Sequence, residues 1–294
     1  SAKMIAVNCD RFALVFADKS FEKNSAELFA KNPTLFVKNP DGAADYILKK
    51  ISPPFWAGLS NHKNAEFEGV LLESGAIVGP DAKIGKGCVI ESGVRIGARV
   101  VIGAGSRIGA YTRIADDCVL GDNVQVASHT SIGGQGFGFV KYPKNPAPQP
   151  RLHVGRAVIG SNVRIGSHVA IDRGVFEDTV IGNSSALDNH VQIAHNCVLG
   201  AYNVLCAFVG LSGSSKTGDR VTFGAMAGTK GHLEIGSDVI VAGQTGVTTD
   251  LPSKSVVKGY PPRPLQEALK IQVLVGKLPE LFARLKKIEK DNLK

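Results

Sequence analysis

An aliphatic residue recurs at every sixth position of this chain, and this period constrains the fold more than any other feature. The series runs without interruption from Leu72 to Ile132, resumes at Ile159 and, after four extra residues near 173–178, continues to Val247. Neither the 3.6-residue period of a helix nor the two-residue period of an ordinary strand explains it. Three such hexads close one coil of 18 residues, so the period predicts a stack of coils whose short strands pair in parallel.

Two further positions of the repeat support this prediction. Glycine often follows the aliphatic residue and permits a turn, and a small or β-branched residue four places after it fills the narrow corner. Cys88, Cys118 and Cys197 occupy that corner position, so we interpret them as core residues rather than as disulfide or zinc ligands. Thr217 and Thr229 are polar exceptions to the aliphatic series, as expected where a core rule yields to a functional site.

The pattern divides the chain into three parts. Residues 69–252 are predicted to form a parallel β-helix of about ten coils. Residues 1–68 lack the period and are predicted to form a small α/β domain with helices near 25–31 and 43–50. Residues 253–294 contain several prolines, followed by two short amphipathic helical patterns separated by a further proline.

Charge is concentrated at the end of the chain. The formal net charge is +8, and residues 254–294 carry ten Lys or Arg against four acids. A basic tail favours an acidic partner, which could be a carrier protein, an anionic membrane surface or nucleic acid. We find no apolar run of about 20 residues and no signal peptide, so we expect a cytoplasmic protein without a transmembrane segment.

Three residues are spaced to meet on one edge of the predicted β-helix. Gly213 follows His195 by one full coil, and His232 follows two coils and one residue after His195. An imidazole can take the proton of an attacking amine or hydroxyl, and the N–H of a glycine approached closely by an acyl group can stabilise the oxyanion. The spacing therefore favours acyl transfer.

Six stretches of the chain resemble a known family, the UDP-3-O-acylglucosamine N-acyltransferases of lipid A biosynthesis. They are GGQGFGF (133–139), IDRG (171–174), DNHVQIAHNC (188–197), LSGSSKTG (211–218), GHLEIG (231–236) and GYPPRP (259–264). The resemblance covers about residues 65–265, and the combination of the QIAHN segment with the GFGF loop is specific.

This resemblance implies a fold and a set of roles. The fold is a left-handed β-helix trimer with active sites between neighbouring subunits. His195 corresponds to the general base, and Gly213 to the glycine whose amide holds the oxyanion. His232 corresponds to a histidine that contacts the nucleotide phosphates, Asp188 to an acid that orients the base or the substrate, and Gln192 belongs to the same substrate-binding segment.

The resemblance also implies a reaction and its partners. An acyl or hydroxyacyl chain would move from acyl carrier protein to the 2-amine of a UDP-3-O-acylglucosamine. The enzyme would use no metal and no bound cofactor, because the carrier's own phosphopantetheine holds the donor. The C-terminal helices would dock the acidic carrier, residues 1–68 would be a shortened form of a uridine-binding domain, and residues 135–139 would form a loop at the cleft edge. Nucleic acid is not expected as a partner.

Three other interpretations remain open. A UDP-N-acetylglucosamine O-acyltransferase shares the fold, the base and the carrier. A gamma-type carbonic anhydrase would bind zinc through His190 and His195 with His153 or His168 as the third ligand. A β-helix without catalytic activity would serve as a scaffold.

Overall fold

The protein is a triangular prism of stacked coils with an α/β segment before it and two helices after it. The structure, a computed structural model, describes residues 4–9, 12–17, 34–36, 39–51, 67–142 and 145–292. Within these residues, each coil contributes one short strand to each of three parallel sheets, which we call the first, second and third faces. The parallel β-helix predicted from the six-residue period is therefore confirmed.

The strands of each face lie side by side in the order of the coils, and most are only two residues long. The first face contains Leu71–Leu72, Val89–Ile90, Arg107–Ile108, Gln125–Val126, Arg164–Ile165, Ala186–Leu187, Val204–Leu205, Thr222–Phe223, Ile240–Val241, Val256–Lys258 and the antiparallel Arg263–Pro264. The second face contains Ile77–Val78, Arg95–Ile96, Arg113–Ile114, Ser131–Gly134, Ala170–Asp172, Gln192–Ile193, Gly210–Leu211, Gly228–Thr229 and Gly246–Val247. The third face contains Lys83–Ile84, Val101–Ile102, Val119–Leu120, Ala157–Ile159, Thr179–Ile181, Val198–Leu199, Lys216–Thr217 and Glu234–Ile235.

The register between coils is 18 residues, and it sorts side chains by position. Ile96 pairs with Ile114, for example, and both are buried, whereas Arg95 before Ile96 points outward and is exposed. The interior is a single column of aliphatic side chains, closed at the corners by small residues such as Cys118 and Cys197. Burial of each large aliphatic side chain contributes about 1.5–3 kcal/mol, so the repeat itself supplies the core.

The corners between the faces turn through left-handed backbone. One residue of most turns has a φ near +60°, a conformation that Asn, Asp and Gly adopt most readily. We call the corner between the first and second faces the first corner, and the corner between the second and third faces the second corner. At the first corner, five exposed rings from successive coils stack with centroids 4.7–5.3 Å apart: Tyr111, His129, His168, His190 and Phe208.

One long insertion leaves the prism between the second and third faces. Ser131 and Ala170 are neighbours in the second face although 39 residues separate them, since the chain between them forms an antiparallel hairpin of Phe139–Tyr142 and Asn145–Pro150. The returning segment is attached to the N-terminal part of the chain, where the buried Asp45 accepts a hydrogen bond from the N–H of Leu152 at 3.1 Å.

The described parts of the N-terminal segment are three strands and one helix. The strands are Met4–Cys9, Phe12–Ala17 and Thr34–Phe36, which form one small sheet, and the helix is α1, Pro40–Ile51. Helix α1 confirms the prediction of a helix at 43–50. The helix predicted at 25–31 lies outside the described residues.

Two helices end the chain, as the proline-separated patterns predicted. They are α2, Leu265–Gly276, and α3, Leu278–Asn292. Their apolar side chains are exposed, including Leu274 and Phe282. In the described part of the chain, no helix combines the length and the apolar character needed to cross a bilayer.

The burial pattern predicts a sharp contrast between adjacent residues of one strand. Ile102→Ala removes a fully buried side chain and should lower the free energy of unfolding by about 2–5 kcal/mol. Val101→Ala changes the outward neighbour, which is 37% exposed, and should cost less than about 1 kcal/mol. Urea unfolding followed by circular dichroism measures both, and equal losses would contradict the inside–outside assignment.

Candidate functional site

The second corner brings together the three residues that the spacing predicted. His195 follows Gln192–Ile193, and Gly213 follows the next strand of the second face, Gly210–Leu211. The carbonyl of His195 accepts a hydrogen bond from the N–H of Ser214 at 2.9 Å. The carbonyl of Gly213 accepts one from the N–H of His232 at 3.0 Å. His195, Gly213 and His232 therefore lie on three consecutive coils of one edge.

The imidazole of His195 lies directly over the Cα of Gly213. A Cβ atom at position 213 would be 2.7 Å from Cε1 and 2.8 Å from Nε2 of the ring, closer than real Cβ atoms approach. Glycine is therefore required here because of a close approach and not because of an unusual backbone angle. Any side chain at this position displaces the ring.

Asn196 fixes which nitrogen of His195 carries the proton. Its Oδ1 accepts a hydrogen bond from the N–H of Val175 at 3.0 Å, which identifies that atom as the amide oxygen. The same oxygen lies 3.0 Å from Nδ1 of His195, and an oxygen can only accept, so Nδ1 donates. The lone pair of the neutral ring is then on Nε2, the nitrogen beside Gly213. Thr179 holds Asn196 in turn, since its Oγ1 accepts a hydrogen bond of 2.8 Å from the backbone N–H of Asn196.

The amide of Gly213 is available to a ligand. Among the residues that the structure describes, its N–H has no hydrogen-bond partner, whereas the neighbouring Ser212 and Ser214 amides donate to Thr229 and His195. A basic nitrogen and a free amide on adjacent coils are the two groups that acyl transfer through a tetrahedral intermediate needs.

A second histidine, His153, packs against His195, and sequence reasoning named it only as a possible zinc ligand. Their ring centroids are 5.1 Å apart at an angle of 61°. Gln135 binds the backbone of His153 through both atoms of its amide group. Its Oε1 accepts a hydrogen bond of 2.8 Å from the N–H of His153, and its Nε2 donates one of 3.0 Å to the carbonyl of His153. Nδ1 lies 3.0 Å from the carbonyl of Arg151 and therefore donates, while Nε2 is buried with no partner among the described residues. Burial is the main cause that lowers the pKa of His153 to about 4, so the ring is neutral at physiological pH.

The glycine-rich segment after Ser131–Gly134 forms a loop over residues 135–138 against this pair. Phe139, which the prediction of a loop at 135–139 included, begins the strand Phe139–Tyr142 instead. A side chain on Gly136 would meet Nε2 of His153 at 2.8 Å and Cβ of His195 at 3.1 Å. Gly138 lies similarly close to the ring of His153, while Phe137 between the two glycines is 85% exposed. Glycine and phenylalanine alternate because the two sides of the loop differ. The glycines lie on the side that contacts the two imidazoles, and Phe137 lies on the side that faces outward.

Gln192 points outward from the second face and contacts an acid on the preceding coil. Its Nε2 donates a hydrogen bond of 3.1 Å to Oδ2 of Asp172. Burial raises the pKa of Asp172 to about 6, against the opposing effect of this hydrogen bond. The predicted site residue Gln192 therefore lies on the second face, in the strand that leads to His195. Asp172 belongs to the same site, and sequence reasoning had quoted it only as part of the IDRG motif.

Below Gln192, the outer surface of the second face carries no side chains over three coils. Gly210, Gly228 and Gly246 pair in register, and a side chain on Gly210 would meet nothing within 4 Å. The ring of Tyr260 covers Gly246. We call this strip of exposed backbone the glycine track. It begins next to the His195 corner and ends at Tyr260.

Asp188 lies on a different corner from His195. It begins the first corner, where its Oδ1 accepts hydrogen bonds from the N–H and side chain of Asn189, and it lines a shallow depression on the first face. Within one chain the group that orients His195 is Asn196. A role for Asp188 in binding substrate stays a prediction.

Within one chain, the histidines named for a zinc site lie at two different corners. His190 and His168 belong to the ring stack at the first corner, while His195 and His153 lie at the second. In the described part of the chain, no group of three His, Cys, Asp or Glu side chains converges as metal ligands would. Within a single chain, the five-residue spacing of His190 and His195 therefore does not bring the two rings to one metal.

Comparison with known proteins finds relatives in the family that the motifs resemble. The repeat profile described as bacterial transferase hexapeptide (six repeats) matches residues 67–98 and 99–134. A UDP-3-O-acylglucosamine N-acyltransferase of Helicobacter hepaticus is 42% identical over 147 residues, which is 50% of this chain and 45% of that protein. One of Methylobacterium nodulans is 41% identical over 136 residues, 46% of this chain and 38% of that protein. The resemblance seen in the motifs is confirmed, and the chain spans less than half the length of these relatives.

Solved structures share the fold. A UDP-N-acetylglucosamine acyltransferase of Francisella novicida has a TM-score of 0.59 at 26% identity, covering 74% of this chain and 79% of that one. One of Campylobacter jejuni has a TM-score of 0.56 at 22% identity, covering 67% and 73%.

The close approach of His195 to Gly213 predicts how a single methyl group acts. Gly213→Ala should displace the imidazole and shift the ring ¹H–¹⁵N signals of His195, with the rest of the spectrum retained. Gly210→Ala is the matched control, since a methyl group there meets nothing within 4 Å, and it should leave those signals in place. Unshifted His195 signals in Gly213→Ala would mean that the ring does not lie over position 213.

Burial of neutral His153 predicts a dependence of stability on pH. Because its folded-state pKa of about 4 lies below the ordinary value of 6.5, the unfolded chain binds more protons between these pH values. The free energy of unfolding therefore falls as pH falls from about 6.5 to 4, by at most about 3 kcal/mol from this group.

His153→Gln removes the titrating group, so the loss between pH 7 and 4.5 should be smaller by about 2 kcal/mol than in the unmodified protein. Asp172 acts in the opposite sense, because its raised pKa makes the folded state bind more protons, but it is present in both proteins. Urea unfolding across this pH range measures the difference, and parallel curves for the two proteins would refute a buried neutral His153.

Proposed function

We propose that this chain is an N-acyltransferase that moves an acyl chain from acyl carrier protein to the 2-amine of a UDP-3-O-acylglucosamine, a step of lipid A biosynthesis. The observation that carries the proposal is the pair at the second corner, where Nε2 of His195 lies over Gly213 and the Gly213 amide is free. The relatives that bear this activity in their names match about half of the chain at about 40% identity.

The reaction follows from these groups. Nε2 of His195 accepts a proton from the amine as the nitrogen attacks the thioester carbon. The carbonyl oxygen becomes an oxyanion, and the N–H of Gly213 donates a hydrogen bond to it. The carbon–sulfur bond then breaks, the amide forms, and the departing thiolate takes the proton from His195. Asn196 supports the imidazolium that forms in between, since its oxygen already accepts from Nδ1.

The glycine track is a suitable place for the acyl chain. It gives an extended hydrocarbon close access to the backbone over the coils of Gly210 and Gly228, and it starts beside the reacting groups. Tyr260 over Gly246 would then limit the length of the chain. Acyl chain length is therefore expected to depend on the track and on Tyr260 rather than on the catalytic corner.

The nucleotide would extend along the same edge. His232 is exposed and lies one coil beyond Gly213, a position from which its side chain could contact the diphosphate. Asp188 can contribute only from the first corner. In a trimer with sites between subunits, the first corner of one copy would face the second corner of its neighbour, and Asp188 would then contact the substrate across that boundary.

The two C-terminal helices fit a protein partner. In α2 none of the residues is buried, and α3 exposes Leu281, Phe282 and Ile288. Basic side chains accompany these apolar residues, since 254–294 carry ten Lys or Arg against four acids. Acyl carrier protein, an acidic donor, and the same helices of two further subunits are the partners that we propose for this segment.

An acyl-transfer assay with two acceptors tests the proposal. Purified protein is given acyl carrier proteins loaded with chains of several lengths, together with UDP-3-O-acylglucosamine or UDP-N-acetylglucosamine. We expect amide formation on the first acceptor and a loss of about 10²–10⁴-fold in kcat for His195→Ala. Lys86→Ala, which changes an exposed side chain between the third and first faces of an early coil, is the control and should keep full activity.

Two outcomes would contradict the proposal. Ester formation on UDP-N-acetylglucosamine alone would assign the chain to the O-acyltransferases. Absence of transfer to either acceptor, or full activity of His195→Ala, would remove the proposed catalytic role and leave the scaffold interpretation.

A further inference from the structure

Asp172 ends a strand of the second face, one coil before the strand that leads to His195. Ile171 pairs with Ile193, so Asp172 is level with Ala194, the residue before His195. The only hydrogen bond to its carboxylate within the described residues comes from Nε2 of Gln192 at 3.1 Å. Neither oxygen of Asp172 forms an ion pair there.

The neighbouring cation is engaged elsewhere. Arg173 turns its guanidinium inward, where Nε donates to the carbonyl of Gly133 at 2.9 Å and Nη2 to that of Asp116 at 2.8 Å. The site's second histidine, His153, is neutral at physiological pH. Asp172 is therefore a half-buried acid without a positive partner in the described chain, which is a costly arrangement unless a ligand supplies the charge.

The glycine loop connects this acid to the catalytic corner. A Cβ on Gly134 would lie 3.8 Å from Oδ1 of Asp172, and one on Gly136, two residues later, would lie 3.1 Å from Cβ of His195. Gln192, which hydrogen-bonds Asp172, begins the strand Gln192–Ile193, and His195 follows that strand at the second corner. Asp172 and His195 thus lie under one short loop, at the end of the glycine track nearest the reacting groups.

We propose that Asp172 binds the 2-ammonium group of the acceptor sugar and so selects an amine over a hydroxyl or an N-acylated acceptor. This inference rests on the proposed function and names the group that determines its acceptor. Gln192 holds the carboxylate in place through its amide. Burial, which raises the pKa of Asp172 to about 6, still leaves a carboxylate at neutral pH, and a bound ammonium stabilises that charge.

Protons balance along this route. The ammonium arrives with three hydrogens on nitrogen and gives up one to solvent when it becomes the attacking amine. The second passes to Nε2 of His195 as the carbon–nitrogen bond forms and then to the thiolate as the carbon–sulfur bond breaks. The third remains on the amide nitrogen, and Asp172 is a carboxylate before and after the reaction.

Steady-state kinetics on three variants test the assignment. Asp172→Asn is isosteric and can still accept from Gln192, so it removes little but the charge. We expect its KM for UDP-3-O-acylglucosamine to rise at least about tenfold, with kcat at saturation changed less than about threefold. Asp172→Glu keeps the charge and should restore part of the loss. Asp81→Asn, an exposed acid in an early coil, is the matched control and should leave KM unchanged.

Binding measurements separate a recognition role from a structural one. Calorimetry with UDP-glucosamine and UDP-N-acetylglucosamine should show a preference for the free amine in the unmodified protein and none in Asp172→Asn. The preference should strengthen as pH rises through about 6, where the Asp172 carboxyl ionises. The titratable groups around it, His195, His153 and Cys197, are common to all variants, and the thermal midpoint of Asp172→Asn should be unchanged or higher.

Each failure points to a different conclusion. If the unmodified protein acylates the amine but Asp172→Asn keeps its KM and its preference, the role of Asp172 is overturned and the proposed function stands. If the unmodified protein acylates neither acceptor, the proposed function is overturned together with this inference. Should Asp172→Asn fail to fold, a KM of the unmodified protein that does not change with pH around 6 overturns the assignment by itself.

Discussion

The backbone hydrogen bonds between successive coils are the interaction on which the site depends. Most strands of the three faces are only two residues long, so neither a long strand nor a helix positions the functional groups. Instead the 18-residue register places Gly213 beneath His195. The backbone hydrogen bonds that join all successive coils also connect Gly213 to His232. The geometry of the proposed catalytic pair is therefore a local instance of a repeat that the whole core enforces, and it needs only a suitable residue type at each position.

Burial then determines the charge of the site. The same inserted loop that encloses His153 keeps that imidazole neutral, and burial at the end of the neighbouring strand opposes ionisation of Asp172. At neutral pH the surroundings of His195 therefore hold one neutral imidazole, His153, and one carboxylate, Asp172. In the reaction that we propose, the acceptor's ammonium group compensates the carboxylate, and the N–H of Gly213 stabilises the oxyanion that develops on the donor's carbonyl.

The six-residue period was enough to predict the features that it controls directly, but not the contacts made by the inserted loop. The core, the parallel strands and the stacking of His195 with Gly213 all follow from counting in sixes and eighteens. The contact between His153 and His195 was not predicted, because His153 lies within the 39-residue step from Ser131 to Ala170. The 18-residue register does not apply inside that step, and only folding of the loop brings His153 to His195. Asp188 shows the converse limit: it is seven residues before His195, yet one step of the period moves it to another corner.

The stacked coils bury their aliphatic core and hydrogen-bond to one another through their backbones. The apolar surface that stays exposed is therefore not needed for the coils to fold. Folding of the coils does not require the exposed Leu274, Phe282 or the open side of the glycine track to be covered. Since burying apolar surface contributes about 25 cal/mol per Å², the exposed apolar side chains of the terminal helices favour the binding role that we propose for them. The stable repeat can therefore leave one edge incomplete, and we expect substrate, carrier and neighbouring subunits to complete it.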